Sequence, residues 1–160
     1  MVDEGSISAL EEVIGYQFED PKILESLLSE EDNTQEKDVL SFYGLGLYED
    51  YINRYFLERF GSLSDGSYSS QYTEKQLSSL KRRLTSTGYL SGRMLYLNLD
   101  EFLNKEERDE KSLISFFCSL FTVIYLDSHQ YFEDEEVQLN KTRDCRVAFE
   151  HLSGDRKSVV

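Results

Sequence analysis

Asp38-Val39-Leu40-Ser41-Phe42-Tyr43-Gly44-Leu45-Gly46-Leu47 opens the longest patterned segment of the chain, which continues to Phe60. Its apolar residues Val39, Leu40, Phe42, Tyr43, Leu47, Tyr51, Tyr55 and Phe56 are spread too widely around a helix for one narrow stripe. A helix apolar on more than one side is central and packed from several directions. Gly44 and Gly46 each cost such a helix about 1 kcal/mol against alanine. Close approach of a neighbouring helix is the expected return.

The flanking segments are also helical in pattern. On the N-terminal side, Ile7, Leu10, Val13 and Ile14 share one face of a helix over residues 6–14. Gly15 turns the chain, and Asp20-Pro21 opens a second helix, with Asp as N-cap and Pro at the first helical position. Ile23, Leu24, Leu27 and Leu28 give that helix its buried stripe. Residues 29–38 are polar and acidic, a loop and helix entry. On the C-terminal side, residues 61–72 are rich in Gly and Ser and are read as a loop. Thr73-Glu74-Lys75-Gln76 is a capping box for a helix carrying Leu77, Leu80 and Leu84. A short helix over 89–97, a charged loop over 104–111 and a buried helix over 112–127 follow. Beyond His129 the pattern weakens, and residues 140–160 are expected to form a short helix at best and then a loose tail.

Composition limits what such a chain does. With 160 residues there is room for one domain with a real core. Acidic side chains outnumber basic ones by 31 to 17, a net charge of −14, which repels a phosphate backbone at long range and favours a basic protein partner. The start Met1-Val2-Asp3-Glu4-Gly5 does not resemble a secretory leader, and no segment reaches the roughly 20 apolar residues of a membrane span. An intracellular setting with reduced Cys118 and Cys145 is expected, without assignment to nucleus, cytoplasm or mitochondrion.

Three segments, in order and at matching separations, resemble the ribonuclease III catalytic domain. Leu10-Glu11-Glu12-Val13-Ile14-Gly15-Tyr16-Gln17-Phe18-Glu19-Asp20-Pro21-Lys22-Ile23-Leu24 is similar to the family's opening LE..LGY.F.DP.LL. Leu40-Ser41-Phe42-Tyr43-Gly44-Leu45-Gly46-Leu47 is similar to its signature helix LEFLGDAVL. Ser115-Phe116-Phe117-Cys118-Ser119-Leu120-Phe121-Thr122-Val123-Ile124-Tyr125-Leu126-Asp127 is similar to DAFEALIGAIYLD. Between the last two, residues 77–90 follow the family's LS.LRA.LVN..TL pattern. The resemblance spans about residues 8–129 and implies an all-α ribonuclease III-like bundle that dimerises through the signature helix. A domain over 6–139 is expected, with 140–160 as a partly disordered C-terminal extension and no double-stranded-RNA-binding domain after it.

Members of that family cut phosphodiesters with magnesium held by carboxylates, because the ion takes hard oxygen ligands and both generates the nucleophile and stabilises the leaving oxygen. The family places two acids four residues apart on the signature helix and two more three residues apart on the later helix, each pair on one face. Here those positions are Ser41 and Leu45, then Ser115 and Cys118. A neutral hydroxyl is a poor magnesium ligand and a leucine is none. Asp38 lies on an adjacent face, and Glu110 and Asp127 lie outside the second pair. No bound metal, no cofactor and no cleavage are therefore expected. The family's basic THRS is also replaced, by Ser29-Glu30-Glu31-Asp32.

The remaining residues admit two readings each. Phe42, Tyr43, Leu47 and Tyr51 form a dimer surface, as the resemblance implies, or belong to the core. Lys81-Arg82-Arg83 meets RNA or an acidic partner, or is a solvated helix face. Cys118 is a nucleophile, or an inert thiol among Phe, Leu and Ile, which its neighbours favour. His129 and His151 stand alone, and Glu133 to Glu136 is a helix end or a contact for a basic protein. The expectation is a non-catalytic dimerisation module in an RNA-processing or ribonucleoprotein complex. It would pair with itself or with another ribonuclease III-domain protein that supplies an intact acid set. The alternative is a structural RNA-binding module that recognises a duplex without cutting it.

Overall fold

The computed structural model describes residues 4–29 and 34–154. Seven α-helices among them make an all-α bundle: α1 (Glu4–Ile14), α2 (Lys22–Leu28), α3 (Thr34–Arg59), α4 (Glu74–Leu84), α5 (Thr87–Tyr96), α6 (Glu110–Ser128) and α7 (Glu135–Ser153). The strands β1 (Gly61–Ser64) and β2 (Ser67–Ser70) form one antiparallel hairpin between α3 and α4.

Helix α6 is the hub, packed against α2, α3, α5 and α7. Its continuous apolar run leaves Phe116, Phe117, Leu120, Phe121, Val123 and Ile124 buried all round. By length and composition α6 could cross a membrane, but 67% of its apolar window is covered by the rest of the protein. It is the core helix of this bundle. Asp109 caps its N-terminus, accepting from the Ser112 amide at 3.3 Å. The capping box at Thr73 and Gln76 is present on α4, with reciprocal bonds of 2.9 and 3.2 Å. Pro21 is the N-cap of α2 and Asp20 precedes it, each one position further from the helix than the sequence reading placed it. The Asp20 carboxylate still accepts from the Lys22 amide at 3.1 Å.

Two segments differ from the sequence reading. Residues 61–72, read as a loop, hold the hairpin. Asp65 and Gly66 both take positive φ, 51° and 76°, the backbone that a two-residue hairpin turn demands and that Asp-Gly supplies. Residues 140–153, read as an extension, belong to the bundle. Helix α7 runs to Ser153 and buries Lys141, Cys145, Ala148, Phe149 and Leu152 along one face. Domain and extension therefore do not divide at residue 139. The disorder expected at the chain end concerns residues 155–160, outside the described residues.

Polar contacts fasten the loop after α1 to these helices. Asp127, near the end of α6 and 4% exposed, accepts from the Tyr16 hydroxyl at 2.7 Å and from the amides of Glu19 and Asp20 at 3.0 Å each. Lys141 donates to the Gln17 carbonyl at 2.6 Å, approaches Glu19 at 3.4 Å and lies over the Tyr16 ring. Burial, the bond to Asp127 and its negative charge all push the Tyr16 hydroxyl above the ordinary phenol range. Gln130 Nε2 gives Asp127 a fourth, longer bond at 3.4 Å, and removing a buried carboxylate strands its buried donors. Asp127→Ala is expected to cost about 3 kcal/mol of stability in denaturant unfolding, and Asp127→Asn less, because the amide keeps one acceptor oxygen.

Candidate functional site: the junction of α3 and α6

Helices α3 and α6 meet backbone to backbone at Gly44. A Cβ on Gly44 would lie 1.8 Å from the Cys118 carbonyl oxygen, so only glycine permits this crossing. One turn earlier, Thr122 Oγ1 donates to the Leu40 carbonyl at 2.5 Å. One turn later, Tyr48 is fully buried, with its ring edge-on to Phe117 and Phe121, and its hydroxyl bonds the Leu84 carbonyl at 2.7 Å. Gly46 does something else: nothing lies within 4 Å of a Cβ added there, so it makes no close approach inside the protomer.

This crossing places the Ser41–Leu45 segment of α3 beside the Ser115–Cys118 segment of α6. Ser41 and Ser115 are half-buried, Leu45 is 38% exposed and Cys118 is buried. Ser119, one turn along from Ser115, turns its hydroxyl onto the Ser115 carbonyl at 2.8 Å. Burial pushes the Cys118 thiol up to about 11, and the Glu49 carboxylate adds to the shift. Glu49, four residues on from Leu45, shares its side of α3, and both line one hollow. Sequence reading passed over Glu49, although the spacing of Ser41, Leu45 and Glu49 was the available signal. Its carboxylate is 3.9 Å from Lys81 Nζ. Among the described residues no group of three His, Cys, Asp or Glu side chains is placed to hold a metal ion.

The residues expected to act as a dimer surface divide. Phe42 and Tyr43 are 75% and 59% exposed, in edge-to-face contact with ring centroids 5.4 Å apart. Leu47 and Tyr51 are partly buried against the core, and the Tyr51 ring meets Phe149 at 6.1 Å. Phe42 and Tyr43 form a ridge between two hollows. The larger, about 780 Å³, is lined besides the ridge itself by Leu45, Leu47, Glu49, Tyr125 and Leu126 among others. The smaller, about 520 Å³, lies toward Thr34, Gln35 and Asp38. Tyr125 and Leu126 were hidden in the sequence by the run of core residues before them.

The other singled-out residues have defined places. Lys81, Arg82 and Arg83 fill the last turn of α4, where cations suit the helix dipole; Arg82 and Arg83 are exposed. His129 stacks on Tyr125 with centroids 4.0 Å apart, and a His151 ring nitrogen lies 2.9 Å from the Val13 carbonyl. Within the acidic run, Asp134 caps α7. Cys145 is buried, and burial raises its thiol too. Of Ser29 to Asp32, only Ser29 lies within the described residues.

Compared with known proteins, the chain is 28% identical over 112 residues to Ribonuclease 3 of Treponema succinifaciens, an alignment covering 66% of this chain. The chain spans only about 30% of the length of that relative. No family model matches. Together, the alignment and the all-α bundle support a ribonuclease III-like relationship.

Two glycines two residues apart should respond oppositely to alanine. Gly44→Ala forces α3 off α6 and is expected to cost about 2–3 kcal/mol, as overpacking does. Gly46→Ala should gain about 0.5–1 kcal/mol from helix propensity. Denaturant titration of both variants measures the difference. The Cys118 thiol carries a pH signature. Unfolded, it ionises near its ordinary value of 9, whereas folded it holds its proton to about 11. The unfolded chain thus binds fewer protons across that window, and stability falls as pH rises through it. Cys118→Ala should flatten that decline in unfolding measured at several pH values.

Proposed function

We propose that this chain is a non-catalytic ribonuclease III-like protein that works by docking, through the α3–α6 face, onto another protein of the same fold or onto itself. The observation that carries the reading is the Phe42–Tyr43 ridge, two large aromatic side chains held in water beside an apolar hollow. Exposed contiguous aromatics rimmed by polar groups mark interaction surfaces, and aromatic residues anchor interface cores. A ridge and a hollow on one face also suit a two-fold pairing, in which each protomer offers both.

The non-catalytic half of the reading rests on donor chemistry. Magnesium-dependent cleavage needs anionic oxygens aimed at one point. Ser41, Leu45, Ser115 and Cys118 supply a hydroxyl, a hydrocarbon, a hydroxyl and a protonated thiol. Glu49, the carboxylate that acts on Cys118, faces Lys81. In a mixed pair this subunit contributes shape and stability, and the partner contributes an intact acid set. The work belongs to an RNA-processing or ribonucleoprotein complex, with RNA reached chiefly through the partner.

Light scattering after size exclusion at micromolar concentration tests the docking, with the chain alone and mixed with active ribonuclease III-domain proteins of its own cell. A dimer or a mixed pair is expected, weakened at least about tenfold by Phe42→Ser, the scale of one lost aromatic anchor. A strict monomer in every mixture overturns it. Incubation with a long RNA duplex and magnesium tests the rest: no cleavage above that of the heat-denatured chain is expected, and cleavage by the pure protein removes the non-catalytic reading.

A further inference from the structure

Residues 75–99, which hold nearly all of α4 and all of α5, contain five lysines and arginines and no aspartate or glutamate, in a chain with 31 acids. Two of the five cations are engaged inside the fold. Lys81 approaches Glu49 at 3.9 Å, and Arg93 donates to the carbonyls of His151 and Leu152 at 3.0 Å each. The other three, Lys75, Arg82 and Arg83, are exposed, and among the described residues no carboxylate pairs with them. The helix dipole does not account for the set. It favours cations in the last turn of α4, but Lys75 stands in the first turn, where it opposes them.

We infer that this outer face of α4 binds the phosphodiester backbone of a nucleic acid directly. Lys75, Ser79 and Arg82 fall at i, i+4 and i+7 on one helical face, with Ser78 and Arg83 beside them, and all five are exposed. Lys75 and Arg82 are about 10 Å apart along the helix axis, a span of about three phosphates of one strand at roughly 3.4 Å each. Cations and hydroxyls are the side chains that hold phosphate oxygens, and such contacts carry no sequence information. The row has no apolar or aromatic member, the kind of anchor on which a protein interface depends. An acidic protein surface is therefore the poorer fit. Through Lys81 and Glu49 the end of α4 adjoins the hollow of the docking face, so the contact adds to whatever RNA a docked partner holds. It needs this chain alone and stands without the docking role.

Fluorescence anisotropy of two end-labelled duplexes of one sequence, RNA and DNA, tests it as the full-length chain is titrated in at low salt and then at rising salt. Binding is expected, with a slope of log affinity against log salt between about −2 and −3, as about three phosphate contacts give. Each of Lys75→Gln, Arg82→Gln and Arg83→Gln should reduce that slope by about one. The triple variant should weaken binding at least about tenfold. Arg146→Gln removes the same charge from an exposed position on α7 and should leave the slope unchanged. Circular dichroism shows each variant folded. Binding of either duplex supports the inference, and the tighter of the two identifies the source of the phosphates.

No binding of either duplex at low salt overturns it. Equal loss with Arg146→Gln and with the α4 variants overturns it as well, because the effect then belongs to overall charge. Displacement of the duplex by polyglutamate at matched charge makes an acidic polypeptide the occupant, which also overturns it. None of these outcomes alters the light scattering expected of Phe42→Ser, so this contact and the docking role fail separately.

Discussion

At Gly44 the main chain of one helix rests on the main chain of another, and the rest of the bundle is arranged around that contact. A helix backbone approaches a second this closely only where a side chain is missing. Gly44 provides the gap, and the Cys118 carbonyl fills it. Thr122 and Leu40 lock the register one turn to one side, and Tyr48 locks it one turn to the other, reaching on to Leu84 at the end of α4. The crossing thereby ties three helices with one missing methyl group and two hydrogen bonds. At the far end of α6, Asp127 and Lys141 hold the loop between α1 and α2, so a single core helix organises both ends of the fold.

The same crossing sets unlike groups side by side on α3. Leu45 and Glu49, near a buried, protonated Cys118, line the same hollow as the exposed Phe42 and Tyr43 and as Tyr125 and Leu126. In a protein whose junction held four carboxylates, mutual repulsion would be relieved by a cation. Here the crossing is held by the close approach of Gly44 to Cys118 and by the Thr122–Leu40 hydrogen bond.

Much of this was legible in the sequence because strong periodicity and local chemistry coincided. The broad apolar spread of the α3 segment, the continuous run of α6 and the capping box at Thr73 each point to one structure. The misses have physical causes. The hairpin was masked by serines, which carry no alternating pattern, although Asp65-Gly66 marks its turn. Helix α7 was masked by Lys141, a cation on the buried face, whose place there is explained by the Gln17 carbonyl, Glu19 and the Tyr16 ring, more than a hundred residues away in sequence. Gly44 and Gly46 look alike as letters, and only the position of Cys118 separates them. The identities at Ser41, Leu45, Ser115 and Cys118 were readable, but the presence of Glu49 at the junction required the angle between two helices.

The central claim is that the α3–α6 junction offers no cluster of anionic oxygen to a divalent cation. Paramagnetic broadening of amide resonances by manganese, titrated into isotopically labelled protein, tests it most directly. The account predicts no selective broadening centred on Ser41, Leu45, Ser115 and Cys118, only weak effects spread over exposed acids. Broadening that saturates at those four positions, and is competed away by magnesium, would contradict it.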